Sequence, residues 1–370
     1  METSRTRFVP VPLLLFALAL VAPVLLAACG GDDDGTSGTT PGADGGTARL
    51  DGSRPVTLRL GYFANLTHAQ ALVGVGTGRF QKDLGENVTL ETKVFNAGPS
   101  VIEALFAGEI DVAYIGPNPA INGFQRSNGR EVRIVSGSAS GGALFIVRPE
   151  ANIETPADLA NKKFATPQLG NTQDVALRAY LKDHGLAPKE KGGNVTILPT
   201  ANADTLTLFQ KGAIDGAWVP EPWATRLIVE AGGRVFLDER SLWPNGEFVT
   251  THIIVSARFL KENPDIVERL VRSHVKITQW IDANEAEAKE VVNAQIASLT
   301  GRPLPQATID GAWKNLKFTW DPIASSLKKA ADDAYDAGLL GEKPPRLEGI
   351  YALDILNKVL TELKLPEVKE

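Results

Sequence analysis

Polar side chains with chemistry to offer sit in short stretches that each follow a β-rich run. "ANLTHAQ" supplies Asn65, Thr67 and His68, and "GPNP" holds Asn118 between Pro117 and Pro119 directly after Gly116. "PQLGNTQD" places Gly170, Asn171 and Thr172 at the start of a helical run, where backbone amides, a hydroxyl and the helix dipole together favour an anion. "WVPEPW" joins Trp218, Glu221 and Trp223, aromatic walls beside one carboxylate, and "SGSASGG" at 136–142 offers hydroxyls and bare amides. Each has a purely structural alternative. Asn65 or Thr67 can cap a helix, Trp223 can be core, Glu221 can bond its own turn, and residues 136–142 can be an ordinary loop.

Catalytic chemistry finds less support. The four histidines, His68, His184, His252 and His274, show no His-Glu-x-x-His spacing, and the single cysteine stands at position 29, so zinc lacks a ligand set. Neither Gly-x-Ser-x-Gly nor a Walker phosphate loop occurs. "GVGTG" at 74–78 lies inside a helical stretch rather than after a strand, which reads as close helix packing and not as a dinucleotide loop. His68 is a candidate acid or base with no partner visible in the sequence. The chain is therefore expected to bind rather than convert, with no cofactor and no metal.

Such stretches need a scaffold that presents strand ends, and the chain alternates accordingly. "VTLRLGYF", "NVTLETKVF" and "IDVAYIG" read as strands, with helices over 69–84 and "PSVIEALFAG" between them and another starting near Asn118. The order then restarts with "KKFAT", "NVTILPT", "IDGAWV" and "RVFLD" as strands, separated by "TQDVALRAYLKDHG", "ADTLTLFQKG" and 223–231 as helices. This alternation predicts α/β architecture with mainly parallel sheets flanked by helices. "FVTTHIIVS" reads as a strand returning to the first lobe. From Asn263 the chain is almost all amphipathic helix, cut at Pro303, Pro305, Pro322 and Pro344–Pro345, and expected to pack outside the lobes.

One phrase occurs twice. "EIDVAYIGPNPA" at 109–120 and "AIDGAWVPEPWA" at 213–224 match position by position: Ile110-Asp111 with Ile214-Asp215, Ala113 with Ala217, Tyr114 with Trp218, Ile115 with Val219. Both then reach a Pro-x-Pro turn. A chain of 370 residues with 43% hydrophobic content is also long for a single core, so two lobes are expected. The division predicted is 55–142 with 248–370 as one lobe and 143–247 as the other. In open α/β sheets ligands bind beyond the carboxyl ends of the strands, so two such lobes face each other across a cleft.

The N-terminus belongs to targeting. Arg5 and Arg7 precede a charge-free apolar run over 8–28 that ends Leu26-Ala27-Ala28-Cys29, an ending that resembles the bacterial lipoprotein signal, with lipid on Cys29. An uncleaved membrane anchor or a buried helix are the alternatives. Residues 1–28 are thus expected to be signal and 29–54, rich in Gly, Asp and Thr, a flexible linker to the outer face of the cell membrane. A formal charge of −6 and a pI near 5.5 give no support to a nucleic-acid surface.

"LGYFANLTHAQALVGVGTGRF", "ALFAGEIDVAYIGPNPAI" and "VPEPWATRLI", in that order behind such a signal, resemble the extracytoplasmic solute-binding proteins of ABC importers. The likeness is to the aliphatic sulfonate, taurine and nitrate binders, whose wider superfamily includes proteins related to thiamine-pyrimidine synthesis. It implies a two-lobed type II periplasmic-binding-protein fold with a helical C-terminal region, a monomer that passes its solute to a membrane permease. Ligand contacts are implied at Asn65, Thr67, His68, Gly116, Asn118, Ser138, Ser140, Gln168, Asn171, Thr172, Trp218 and Glu221. The implied ligand is a small organic anion, an aliphatic sulfonate first, with nitrate, taurine or another small solute, or an enzyme like the pyrimidine synthases, as alternatives. No arginine stands at a matched strand end, so neutral donors must hold the anion, while Glu221 would suit an ammonium group.

Overall fold

A computed structural model describes residues 54–370. It opens with β1 (Val56–Phe63), α1 (Ala69–Gly76), α2 (Arg79–Leu84), β2 (Val88–Phe95), α3 (Gly98–Phe106), β3 (Val112–Ile115), α4 (Pro117–Arg126) and β4 (Val132–Gly141). The helix expected over 69–84 divides at 77–78, where the Thr77 hydroxyl turns back to the Val73 carbonyl at 2.7 Å. A Cβ on Gly74 would lie 2.4 Å from the Phe80 ring, so α2 folds onto α1 only because that position is bare. Close helix packing is thus what "GVGTG" encodes.

The chain crosses over through β5 (Ala143–Val147) and continues with β6 (Lys163–Thr166), α5 (Thr172–Asp183), β7 (Thr196–Pro199), α6 (Asn202–Gln210), β8 (Gly216–Pro220), α7 (Trp223–Ala231) and β9 (Arg234–Asp238). It returns as β10 (Val249–Ser256) and ends with α8 (Ala257–Glu262), α9 (Pro264–Ala283), α10 (Glu285–Thr300), α11 (Gln306–Trp313), β11 (Leu316–Phe318), α12 (Ala324–Asp336) and α13 (Asp354–Glu362). Among the described residues no helix is long and apolar enough to cross a membrane.

Strand order is β11-β4-β10-β3-β1-β2 in one sheet and β7-β6-β8-β5-β9 in the other. Each sheet has the same centre. Three parallel strands, β2-β1-β3 or β7-β6-β8, are joined by an antiparallel strand arriving from the other side, β10 beside β3 and β5 beside β8. The sheets are therefore mixed, not mainly parallel as the alternation suggested, because two of the connections cross between lobes instead of looping back by a helix. β10 returns as predicted, whereas β5 is an unforeseen addition: "ALFIV" is buried along its whole length and lacks the alternation that marks a half-exposed strand.

Residues 136–141, expected as a loop or as ligand donors, are the end of strand β4. The segment 319–320 runs along them, with the Gly137 amide donating to the Trp320 carbonyl at 2.8 Å and the Thr319 amide to the Ser138 carbonyl at 3.0 Å. Their small size admits that covering chain.

The duplicated phrase is a strand clip. Asp111 accepts the backbone amide of Arg59 at 3.0 Å through its carboxylate, donates its own amide to the Arg59 carbonyl at 2.8 Å, and its carbonyl receives the Ser256 amide at 2.8 Å. Asp215 repeats all three bonds in the second lobe, with Lys163 at 2.7 and 2.8 Å and Arg148 at 2.9 Å. One aspartate per lobe thus ties the start of its strand to the parallel neighbour and to the incoming antiparallel strand. Ile110 and Ile214, each 1% exposed, drop into the core beside it.

Apolar side chains cover both faces of both sheets. On the first sheet α1, α9, α10 and α13 enclose one core and α3, α4 and α12 the other; the second sheet carries two smaller cores. In α9 the residues Ile266, Leu270, Ile277 and Ile281 recur at helical spacing and are all buried. The C-terminal helices reach beyond the first lobe. α12 lies against both α4 and α5, and Gly311 of α11 lies against the Thr225 side chain of α7.

Asp111→Ala is expected to lower unfolding free energy by about 1–3 kcal/mol, the cost of leaving the Arg59 amide and guanidinium without their buried acceptor. Asp215→Ala, with a less buried carboxylate, is expected to cost less. Urea titration of each variant beside Glu109→Ala, a surface control, measures the difference.

Candidate functional site

The carboxyl ends of the two sheets face a common hollow of about 30 Å³, lined from the first lobe by Asn65, Thr67, His68, Asn96, Gly116, Thr250 and Thr251. From the second lobe come Pro167, Asn171, Thr172, Gln173, Asn202 and Pro220. Four helices begin here, two from each lobe: α3 after Ala97, α4 after Gly116, α5 after Asn171 and α6 at Asn202. The start of each helix lines the hollow, so each places the positive end of its dipole at the wall. No Lys, Arg, Asp or Glu lines the hollow.

His68 is held as a neutral donor. Burial drives its pKa down to about 3, and its Nδ1 accepts the Phe63 amide at 3.3 Å, which leaves the proton on Nε2. The ring stacks on Phe63 with centroids 4.3 Å apart. Across the hollow, Asn171 caps α5 by accepting the Asp174 amide at 3.0 Å and donates to Gln173 Oε1 at 2.8 Å. Asp174 itself is turned back: it takes the Gly170 amide at 2.9 Å and pairs with Arg178 at 3.0 Å. The anion-repelling charge nearest this helix start is thereby neutralised.

Two buried oxygens here have no protein partner, Thr172 Oγ1 and Asn202 Oδ1. An unbonded buried polar atom costs about 1–3 kcal/mol, which a bound solute can recover. The lobes also touch. A Cβ on Gly116 would lie 2.3 Å from Thr172 Oγ1, Trp223 Nε1 donates to Asn65 Oδ1 at 2.9 Å, and Ser100 Oγ donates to Gln168 Oε1 at 3.3 Å.

Of the residues singled out in the sequence, Asn65, Thr67, His68, Gly116, Asn171 and Thr172 line the hollow, while Gln168 does not and instead accepts an exposed bond from Ser100. The others lie elsewhere. Asn118 donates to the Ala330 carbonyl at 2.8 Å and holds α12. Ser138 bonds Gln70 at 2.9 Å inside the first lobe, and Ser140 receives the Phe248 amide at 3.4 Å. Trp218 points from β8 into the core, stacked on Phe145 and donating to Glu239 at 2.8 Å; Trp223 is the aromatic residue nearer the cleft. Glu221 is fully buried, its pKa raised by that burial, and it binds the Thr225 amide at 3.0 Å and Asn315 Nδ2 at 2.7 Å, so it serves its own turn.

Asn96, Asn202, Gln173, Thr250 and Thr251 were not foreseen. Asn96 directly follows β2 and Asn202 comes three residues after the end of β7, so both were findable by the rule that pointed to Asn65. Thr250 and Thr251 lie on the crossing strand β10 and carry no such signal.

A model of the NMT1-like family matches residues 51–297. The chain belongs to that family. Among its relatives is the taurine-binding periplasmic protein of Escherichia coli K12, 26% identical over 66% of this chain and 73% of that protein. The alkanesulfonate-binding protein of Xanthomonas axonopodis pv. citri, solved bound to MOPS, superposes with a TM-score of 0.68 at 20% identity over 81% of this chain and 99% of its own. The periplasmic nitrate-binding protein of Synechocystis PCC 6803 superposes with a TM-score of 0.70 at 18% identity, over 84% and 90%. This NMT1-like chain therefore has the periplasmic-binding-protein fold, two α/β lobes between which the chain crosses twice.

Gly116→Ala tests the contact between lobes. Its backbone, at φ −69 and ψ 158, accepts alanine without strain, yet the new methyl would collide with Thr172. The variant is expected to keep its thermal stability and give a larger radius of gyration by small-angle scattering than the parent protein. Equal radii would mean that the lobes do not meet there.

Proposed function

We propose that this protein is the solute-binding component of an ABC importer, capturing an aliphatic sulfonate or similar organosulfonate between its lobes and presenting it to a membrane permease. The observation that carries this reading is the hollow between the sheets, where uncharged donors from both lobes surround an unpartnered Thr172 hydroxyl. A sulfonate is the anion of a strong acid, so it stays charged and needs donors rather than a proton. Neutral amides, hydroxyls and helix N-termini fill that need without a buried countercharge. The relatives named above, binders of taurine, alkanesulfonate and nitrate, support the same class, and MOPS is itself a sulfonate.

In this reading the lobes are 55–142 with 248–370 and 143–247, and they move about two crossings. One is Gly141–Gly142, both at positive φ (72° and 68°), where glycine alone bends freely; the other is the stretch between β9 and β10. A solute touching both lobes shifts the open–closed equilibrium, and the closed form is what a permease recognises. Signal, linker and a lipid on Cys29 lie outside the described residues; they are proposed to tether a monomer to the outer face of the cell membrane.

Calorimetric titration of the full chain with methanesulfonate, taurine and nitrate tests the reading. Thr172→Val removes a hydroxyl that has no protein partner, so it should weaken sulfonate binding by about 1–2 kcal/mol while leaving stability unchanged or raised. Unaltered affinity would place the anion elsewhere. Because His68 stays neutral, affinity should change by less than about twofold between pH 5 and 8. A loss of about tenfold across pH 6.5 would instead reveal an imidazolium at the site.

A further inference from the structure

Beside the anion hollow lies a second cavity of about 530 Å³. The two share Asn65, Asn96 and Asn202, so three amides form the neck between them. We infer that the substrate is a sulfonate carrying a largely apolar substituent larger than the aminoethyl group of taurine, with that substituent lodged in this chamber. The inference rests on the sulfonate reading above and narrows it.

The chamber wall is mostly hydrocarbon. Val94, Phe95, Trp223, Ile296, Leu299 and Leu304 line it, and Val94, 42% exposed, is one of the few large apolar side chains the fold leaves uncovered. One pair of its charged groups is matched and two are not. Arg226 pairs with Glu230 through bonds of 2.7 and 3.1 Å while its guanidinium lies 4.5 Å from the Trp223 ring centre, and Asp204 and Arg302 add one charge of each sign. The volume is that of an organic-ligand pocket, about 300–1,000 Å³, and nitrate or taurine would leave most of it to water.

This chain's own C-terminal residues make the far wall. Leu299, Thr300 and the loop 302–305 all lie beyond residue 297, where the family match ends. The family-wide part of the chain thus builds the anion hollow, and a separate segment shapes the room for the tail.

The test is a calorimetric series on the full chain: methanesulfonate, taurine, butanesulfonate, hexanesulfonate and benzenesulfonate. Affinity should rise by up to about fourfold per added methylene, as buried CH₂ groups do, with benzenesulfonate well above taurine. Ala203→Trp, which fills the chamber from α6 without entering the hollow, should weaken hexanesulfonate at least about tenfold and leave methanesulfonate unchanged. Taurine binding as tightly as hexanesulfonate would overturn the inference while the sulfonate reading survives. Failure of every sulfonate to bind would overturn both. Should the tryptophan variant misfold, the parent protein's chain-length series decides alone.

Discussion

Two aspartates fix the geometry on which everything else depends. Asp111 and Asp215 each bind a neighbouring strand's amide through the carboxylate and carry their own backbone bonds to the strands on either side. Because a parallel pair that slips by one residue turns every side chain to the wrong face, anchoring the strand's first residue also fixes where its last residue emerges. That last residue is followed by a Pro-x-Pro turn in both lobes, and the turns open onto one hollow at Gly116 and Pro220. A bond at the far end of the strand thereby sets the position of that hollow.

The hollow's electrostatics follow from what is kept out of it. A buried cation would bind an anion strongly but would need a partner whenever the site is empty. Here the charges are spent behind the surface, Asp174 on Arg178 and Arg226 on Glu230, and the hollow is faced with amides, hydroxyls, a neutral imidazole and helix starts. Such a site tolerates opening and closing because no unpaired ion is exposed or buried in either step. In the proposed reading, selectivity for an anion comes from the helix starts that border the hollow, and discrimination among anions from the space open to whatever the anion carries.

Much of this was legible in the sequence, for identifiable reasons. Alternating runs gave the strands and helices, and the echo of Ile-Asp gave the two lobes, because the same backbone bonds demand the same residues twice. The rule that ligands meet strand ends pointed to Asn65, His68, Gly116 and Thr172, all of which line the hollow. It misplaced Trp218 and Glu221, since near a strand end a one-residue difference decides between core and cleft and no period marks the boundary. Ser138 and Ser140 looked like donors because small polar residues are ambiguous: here they make room for a covering chain at 319–320. β5 and the three-residue β11 were invisible, one for want of alternation and the other for want of length.

The C-terminal helices, which carry the weakest sequence signal, join the lobes to the chemistry. α10 and the loop after it border the chamber, while α11 and α12 reach the second lobe. The central claim, an anion gripped by uncharged donors from both lobes, is tested most directly by a crystal structure of the protein with hexanesulfonate. The account predicts sulfonate oxygens within hydrogen-bonding distance of Thr172 Oγ1 on one side and His68 Nε2 on the other. A sulfonate seated on an arginine or lysine, or touching a single lobe, would contradict it.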